Sequence, residues 1–303
     1  MSIRPLILAT LAAGGALVTL PTLAQRIPVG TTVPSGGVAA YHEFETGLDQ
    51  GGDFSVTGAL ASLDVLHQFT PAFAAGVSLR YGYENWDFNS TPGAFGNTPW
   101  GDIHRPSVGF VFTYAPNDDL RFLAVPTVQW AYEQGASTGD ALMGGAIFAA
   151  TRRFSPTLSL GFGVGVFDEL DKTEVFPFVL VDWQINERLR LGNPFRAGPA
   201  GGAGLELAYT FSDAWEVAAG GTWRSYRFRL DRDGPYPDGI GESRGVPLFL
   251  RTSYSVTRDA RLDFLAGVVV GGKLKVMDRN GNDIAEDDYD AAPIVGITLR
   301  TRF

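Results

Sequence analysis

Ala291-Ala-Pro-Ile-Val-Gly-Ile-Thr-Leu-Arg-Thr-Arg-Phe303 is the stretch that decides the fold. Stepping back by twos from its last residue puts Phe303, Thr301, Leu299, Ile297 and Val295 on one face, and Arg302, Arg300, Thr298 and Gly296 on the other. A period of two is the side-chain repeat of an extended strand, and these two faces ask for opposite surroundings. A soluble sheet has little use for a terminal aromatic on an exposed edge. A barrel in the bacterial outer membrane closes its last strand on its first and turns the apolar side to lipid. The tail therefore predicts a closed antiparallel transmembrane β-barrel located in the outer membrane. Phe303, Leu299 and Ile297 are expected to be the signal read by the outer-membrane insertion machinery.

The opposite end agrees with that compartment. Arg4 precedes an apolar run from Leu6 to Leu20, followed by Pro21 and by Thr22-Leu23-Ala24, a small-residue pattern before a cleavage site. The run is shorter than the roughly 20 apolar residues a spanning helix needs. Residues 1–24 read as a secretory signal peptide and 25–303 as a single barrel domain. No later stretch is apolar enough to span as a helix, which leaves a closed barrel as the integral option, since lipid tolerates no unpaired backbone group.

Composition fits. Aromatic residues make up 12% of the chain, with 38 Gly and no Cys, so disulfides and thiolate metal sites are out of reach. The net charge of −9, one unit more negative once Arg4 leaves with the leader, argues against nucleic acid as a partner. Outer-membrane lipid is the expected surrounding, and no cofactor is expected.

The strand count comes from punctuation. Phe69–Phe73, Tyr114–Leu120, Phe154–Leu158, Ile185–Leu189, Phe211–Trp215 and Val256–Leu262 each pass from an apolar residue through a polar turn to another apolar residue, the pattern of tight hairpins flanked by aromatics. Between them lie segments rich in Gly, Asn, Asp and Pro, most of them longer: 48–53, 89–101, 135–139, 171–172, 194–199, 231–241 and 278–289. Short turns alternating with longer loops are the asymmetry of periplasmic turns and outer loops. Six turns and seven loops require about 14 strands, or 12 if the segments near Gly37–Gly47 and Arg188–Asn193 are not strands. Trp215–Leu230 changes phase near Ser225, for which a bulge, or emergence of the strand above the membrane, is the expected cause.

The inward faces are polar and carry both signs. Arg80, Glu84, Gln129, Glu133, Glu206, Glu216, Arg224, Arg251 and Arg300 are the candidate lumen-lining residues, with the carboxylates expected to pair with nearby arginines. Fixed charge along a channel discriminates among solutes. Catalytic residues are not expected. A barrel hydrolase places His two residues before Ser, but His42, His67 and His104 are followed at that distance by Phe44, Phe69 and Pro106. Asp278–Asp288 clusters oxygen ligands but departs from the calcium-loop template, with Gly281 at position four and Tyr289 where the bidentate Glu belongs, and reads as an exposed acidic hairpin loop. The Gly198–Gly204 run lacks the Lys-Ser/Thr of a phosphate loop and reads as flexible backbone.

Phe176-Pro-Phe-Val-Leu-Val-Asp-Trp183, Leu189-Arg-Leu-Gly-Asn-Pro194, Gly204-Leu-Glu-Leu-Ala-Tyr209, Gly239-Ile-Gly-Glu242 and Val246-Pro247 together resemble an uncharacterised family of bacterial outer-membrane β-barrels. The resemblance covers most of the chain beyond the leader and implies fold and location without an activity. A passive, porin-like channel for small solutes is the function expected first. A non-conducting structural or surface-interaction barrel is the alternative, and a hydrolase comes third. The solute stays unnamed.

Overall fold

Runs of period-two alternation, each ended by Gly, Asn, Asp or Pro, offer the chain strands and turns. The computed structural model describes residues 27–89, 93–96, 98–194 and 203–303. The leader over 1–24 and most of the 194–199 and Gly198–Gly204 segments lie outside the described residues. Every named element is a strand: β1 Thr32–Gly47, β2 Asp53–Gln68, β3 Phe73–Asn89, β4 Asp102–Tyr114, β5 Leu120–Trp130 continued by Tyr132–Glu133, β6 Leu142–Ser155, β7 Leu158–Glu169, β8 Lys172–Gln184, β9 Leu189–Gly192, β10 Ala203–Thr210, β11 Trp215–Arg229, β12 Ile240–Ser255, β13 Ala260–Met277, and β14 Asp283–Tyr289 continued by Ala292–Arg302.

Each strand pairs antiparallel with the next, and β14 closes on β1 from Ser35 opposite Arg302 to Glu43 opposite Ile294. The first and last staves are joined by this closure, which turns the sheet into a barrel as lipid requires. The sixteen strand segments make fourteen staves because two staves are interrupted, β5 at Ala131 and β14 between Tyr289 and Ala292. Both segments in doubt at the sequence level are strands, although β9 has only four residues.

The outward faces are apolar as the alternation predicts. Leu250 is 66% exposed and Phe162 59%, and Leu79, Leu207, Ile297 and Leu299 are exposed beside them. Such a surface is favourable only in an apolar solvent. Phe69, Tyr114, Phe154, Phe211 and Trp215 ring the end that carries the short turns, an aromatic girdle at a membrane rim. We refer to this as the turn end and to the other as the loop end.

Two expectations are narrowed. The 278–289 segment is a hairpin as expected, but its loop is confined to Asp278–Asn282, and Asp283–Tyr289 runs as the first part of β14. Its acidic residues are cross-strand partners of lysines: Lys273 reaches Glu286 and Asp288 at 3.1 Å each, and Lys275 reaches Asp283 at 2.7 Å. Hydrogen bonds from Asn282, then Asn280 and Gly281, hold the exposed Asp278 carboxyl below its ordinary range, so that this anion closes its own turn.

Of the two causes expected for the phase change in β11, the bulge is the one the pairing rules out. Its pairing with β12 keeps one register, with Gly221 opposite Leu248 and Arg224 opposite Gly245. Tyr226, Phe228 and Leu230 are inward residues like Ala218 and Thr222 before them; the face that is apolar has switched from the lipid side to the lumen side. The nearby irregularity belongs to β12, between Arg244 and Val246 against β13.

The loop end of β11 then leaves the wall. The Arg229 backbone N–H donates to Ala131 O at 2.9 Å, and Arg229 pairs in parallel with Tyr132 of β5. Five strands separate β11 from β5 in the wall, so this contact spans the lumen. It divides the loop-end half into a main compartment, enclosed by β1–β5 and β11–β14, and a side compartment between the back of β11 and β6–β10. The main compartment is packed with apolar side chains, whereas the back of β11 meets buried charge, Arg227 pairing with Asp171 and Glu242.

Candidate functional site

The lumen is the candidate site, and its contents change with depth. At the loop end of the main compartment, Phe95 and Trp100 from the β3–β4 connection turn inward. Trp100 is 1% exposed and meets Trp86 and Phe88 edge-on at 5.5 Å and Phe228 at 5.2 Å between ring centroids. Edge-to-face packing of this kind adds to simple area burial. The plug is tied down from outside itself: Tyr236 of the β11–β12 connection donates its hydroxyl to Phe95 O at 2.5 Å. Glu133 at the end of β5 accepts from Gly101 N at 2.8 Å and Asp231 N at 2.9 Å, so one carboxylate fastens both connections.

Below the plug lies a buried polar layer. Glu84 of β3 accepts from the Tyr226 hydroxyl at 2.7 Å, from Arg105 Nη2 at 2.6 Å, from Trp86 Nε1 at 3.2 Å and from the Tyr41 hydroxyl. The Arg105 guanidinium also stacks 4.0 Å from the centre of the Tyr226 ring. Beside this group Arg224 of β11 donates to both oxygens of Glu43 of β1. Four donors satisfy the Glu84 carboxylate, the condition under which a buried charge is tolerated.

The turn-end half holds a second network. Arg251 of β12 reaches Glu206 at 2.6 Å, Glu216 at 3.1 Å and Asp263 at 3.5 Å. Arg300 Nε donates to Asp263 at 3.0 Å, and Arg261 joins both Asp263 and Glu216. Away from this cluster, Arg80 lies 3.6 Å from Asp64, both partly buried, and Arg190 lies 2.7 Å from Asp182 in a wetter setting, with side chains 38% and 37% exposed.

Eight of the nine sequence candidates, Arg80, Glu84, Gln129, Glu206, Glu216, Arg224, Arg251 and Arg300, point into the barrel, and Glu133 holds the connections at its mouth. Gln129 sits in register between Ser107 and Met143. The structure brings Glu206, Glu216, Arg251 and Arg300 together around Asp263, whereas Glu84 and Arg224 belong to the layer above. Sequence reasoning missed Glu43, Asp64, Arg105, Asp182, Arg190, Arg261, Asp263 and Trp100. Arg105 carried a signal, since it shares the inward parity of Ser107 in β4.

A second apolar cluster lines β4–β8: Val125, Ile147, Phe167, Phe176 and Leu180 pack together, and the rings of Phe176 and Phe178 lie over the inward glycines of β7. The back of β11 is polar instead, with Arg227 paired to Asp171 at 2.5 Å and to Glu242 at 2.7 Å. All three histidines face outward and bond hydroxyls: His42 to Thr57 at 2.9 Å, His67 to Thr32 at 2.8 Å and His104 to Tyr81 at 2.8 Å. Among the described residues no group of three or more His, Asp or Glu is placed to hold a metal ion.

Residues 108–302 match the family described as domain of unknown function DUF6268. No curated protein matches the chain in sequence. Among solved structures, the chain is similar to an outer membrane channel from Pseudomonas putida F1 at 10% identity, covering 94% of this chain and 100% of that one with a TM-score of 0.49. It is also similar to the Pseudomonas putida toluene transporter TodX, at 10% identity over 91% of each chain with a TM-score of 0.44. A Pseudomonas aeruginosa FadL homologue gives 12% identity over 89% of this chain and 90% of that one, with a TM-score of 0.45.

Proposed function

The chain belongs to the DUF6268 family, and from its lumen we propose that it is a bacterial outer-membrane channel for small solutes that rests closed. In this reading residues 1–24 are removed on export, the loop end faces outside and the turn end faces the periplasm. The observation that carries it is the origin of the closing elements. Phe95, Trp100 and Tyr236, which shut the mouth, come from connections, whereas the partly buried pair Arg80–Asp64 and the more open pair Arg190–Asp182 line the wall below them. A connection can leave without breaking the strand ladder, and wall charge then selects among entering solutes. The chain passes its solute unchanged; no reaction is assigned to it.

A second reading has its own observation. Arg224–Glu43 and Tyr226–Glu84 tie β11 to β1 and β3 across the main compartment. A barrel whose lumen is cross-braced in this way serves as a rigid surface protein. Conductance in planar bilayers separates the two. The refolded protein should show rare brief openings, and a variant with residues 90–101 replaced by a short glycine turn should give steady ohmic steps. Silence from that variant, with its barrel shown to be folded by its gel mobility before heating, would reject the channel and leave the braced barrel.

A further inference from the structure

The outer wall is not uniformly greasy near the turn end. Large and small outward residues alternate across neighbouring strands: Phe112, Ala124 and Phe148 share one cross-strand row, and Phe122, Ala150 and Phe162 share the next. The two alanines are diagonal neighbours, so they form the floor of a slanted trough whose sides are the four phenylalanines. The trough has a volume of about 440 Å³. One row nearer the turn end, on the same strand as Ala150, stands Arg152, flanked in register by Leu120 and Leu160.

Arg152 is exposed, and its guanidinium lies 5.5 Å from the centre of the Phe154 ring. Among the described residues no carboxylate pairs with it. Arg80, Arg190, Arg224, Arg251, Arg261 and Arg300 each have one. A guanidinium held at the edge of an apolar band, against an aromatic ring and without a protein anion, is built to meet an anion from the surroundings.

We propose that this trough and Arg152 form a site for one phospholipid of the turn-end leaflet, its acyl chain lying over Ala124 and Ala150 and its phosphate held by Arg152. Chain and head are satisfied by different parts of the same strand, which sets the lipid's direction: tail toward the barrel's middle, head toward the rim. Aromatic side walls restrict the chain laterally and Arg152 fixes its depth. The proposal rests on the reading of the wall as membrane-embedded and is independent of whether the lumen conducts.

The test uses the full barrel, refolded in a mild detergent and confirmed by its gel mobility before heating. Native mass spectrometry counts bound palmitoyl-oleoyl phosphatidylglycerol, and a diacylglycerol with the same chains serves as the arm that lacks the phosphate. The protein should retain one phosphatidylglycerol in preference to diacylglycerol. Arg152→Gln should lower retention of phosphatidylglycerol about tenfold, to the level of diacylglycerol. Ala150→Phe, which fills the trough, should abolish retention of both; Ala124→Leu is the gentler filling should that variant not fold. Equal retention by the unaltered protein and Arg152→Gln would overturn the phosphate contact, and full retention by a folded trough-filled variant would overturn the site. A chain that stays soluble and folded without detergent would instead refute the membrane reading itself.

Discussion

Arg224 on β11 grips Glu43 on β1 with both ends of its guanidinium fork, Nη2 standing 3.0 Å from Oε2, although the two residues are 181 positions apart and lie on opposite sides of the main compartment. Both are buried, at 8% and 1% exposure. Removing one member leaves the other charge dry and unpaired, which costs about 3–5 kcal/mol, whereas replacing both with apolar residues of similar volume is often neutral. Glu43→Gln and Arg224→Met should each lower the temperature at which the folded band disappears from gels. The Glu43→Met/Arg224→Met double variant should recover most of the loss. A double variant as weak as the sum of the singles would show that the two residues act apart.

A tighter steric relationship fixes the apolar cluster between β7 and β8. A Cβ at Gly165 would stand 2.1 Å from Cζ of Phe176, and one at Gly163 would stand 2.2 Å from Cζ of Phe178. The glycines of β7 thus make room for rings donated by β8. Gly165→Ala should therefore overpack the site and destabilise the barrel by about 1–3 kcal/mol. Gly165→Ala/Phe176→Leu should be closer to the unaltered protein. Urea unfolding followed by tryptophan fluorescence measures both, and a Gly165→Ala midpoint unchanged from the parent would mean that the ring moves aside freely.

The lipid face was the most legible part of the chain because one physical rule governs it throughout: alternate residues must be apolar wherever a strand touches hydrocarbon. Val295, Ile297 and Leu299 follow that rule and were placed correctly. The rule fails where the wall stands clear of lipid. Asp283, Glu286 and Asp288 looked like loop because their partners Lys273 and Lys275 are ten residues or so away, and only the pairing of β13 with β14 shows that the charges cancel. Tyr226 and Phe228 looked out of phase because lumen packing, set by Trp100 from a distant connection, rewards aromatics on the inner face. Within the site, arginine–carboxylate pairing was legible as a tendency. The partners depended on register and on contacts across the lumen, which is why Glu43 and Asp263 were overlooked while Arg224 and Arg251 were named.

Glu169 supplies a dependence on pH. It ends β7, beyond Val166 on the outward face, and the next outward residues, Asp168 and Thr173, are polar, so the hairpin tip stands above the apolar band. Neither carboxylate oxygen of Glu169 has a hydrogen-bond partner among the described residues. Burial, and then the neighbouring Glu174, push this carboxyl up to about 8, with Glu242 adding to the effect and Arg227 and Lys172 opposing it. In the unfolded chain a glutamate titrates near roughly 4.3. Between those values the folded state holds a proton that the unfolded state has released, so stability falls as the pH rises through the window. Thermal midpoints in detergent should accordingly drop between about pH 5 and pH 9, and Glu169→Gln, which stays neutral, should flatten the decline. A Glu169→Gln variant with the parent's full pH dependence would assign the effect to another group.

Phe303 is 73% exposed on the outward face, and its backbone N–H donates to Pro34 O at 3.0 Å. That bond joins the end of β14 to the start of β1, so the residue stands at the seam where the barrel closes. Its side chain continues the outward row of Leu299 and Ile297, both exposed, and buries little in the folded barrel. Truncating it should therefore change the stability of the finished barrel by no more than about 0.5 kcal/mol, as for other surface positions. A role in recognition by the insertion machinery predicts a different pattern. Phe303→Ala should reduce the amount of membrane-inserted protein in cells severalfold, while the same variant refolded into detergent unfolds at the parent's temperature. Ile297→Ala and Leu299→Ala, on the same face, should show milder losses. Equal insertion of Phe303→Ala and the parent in cells would show that the seam closes without this aromatic being read, and a matched loss of insertion and stability would trace the effect to closure of the sheet itself.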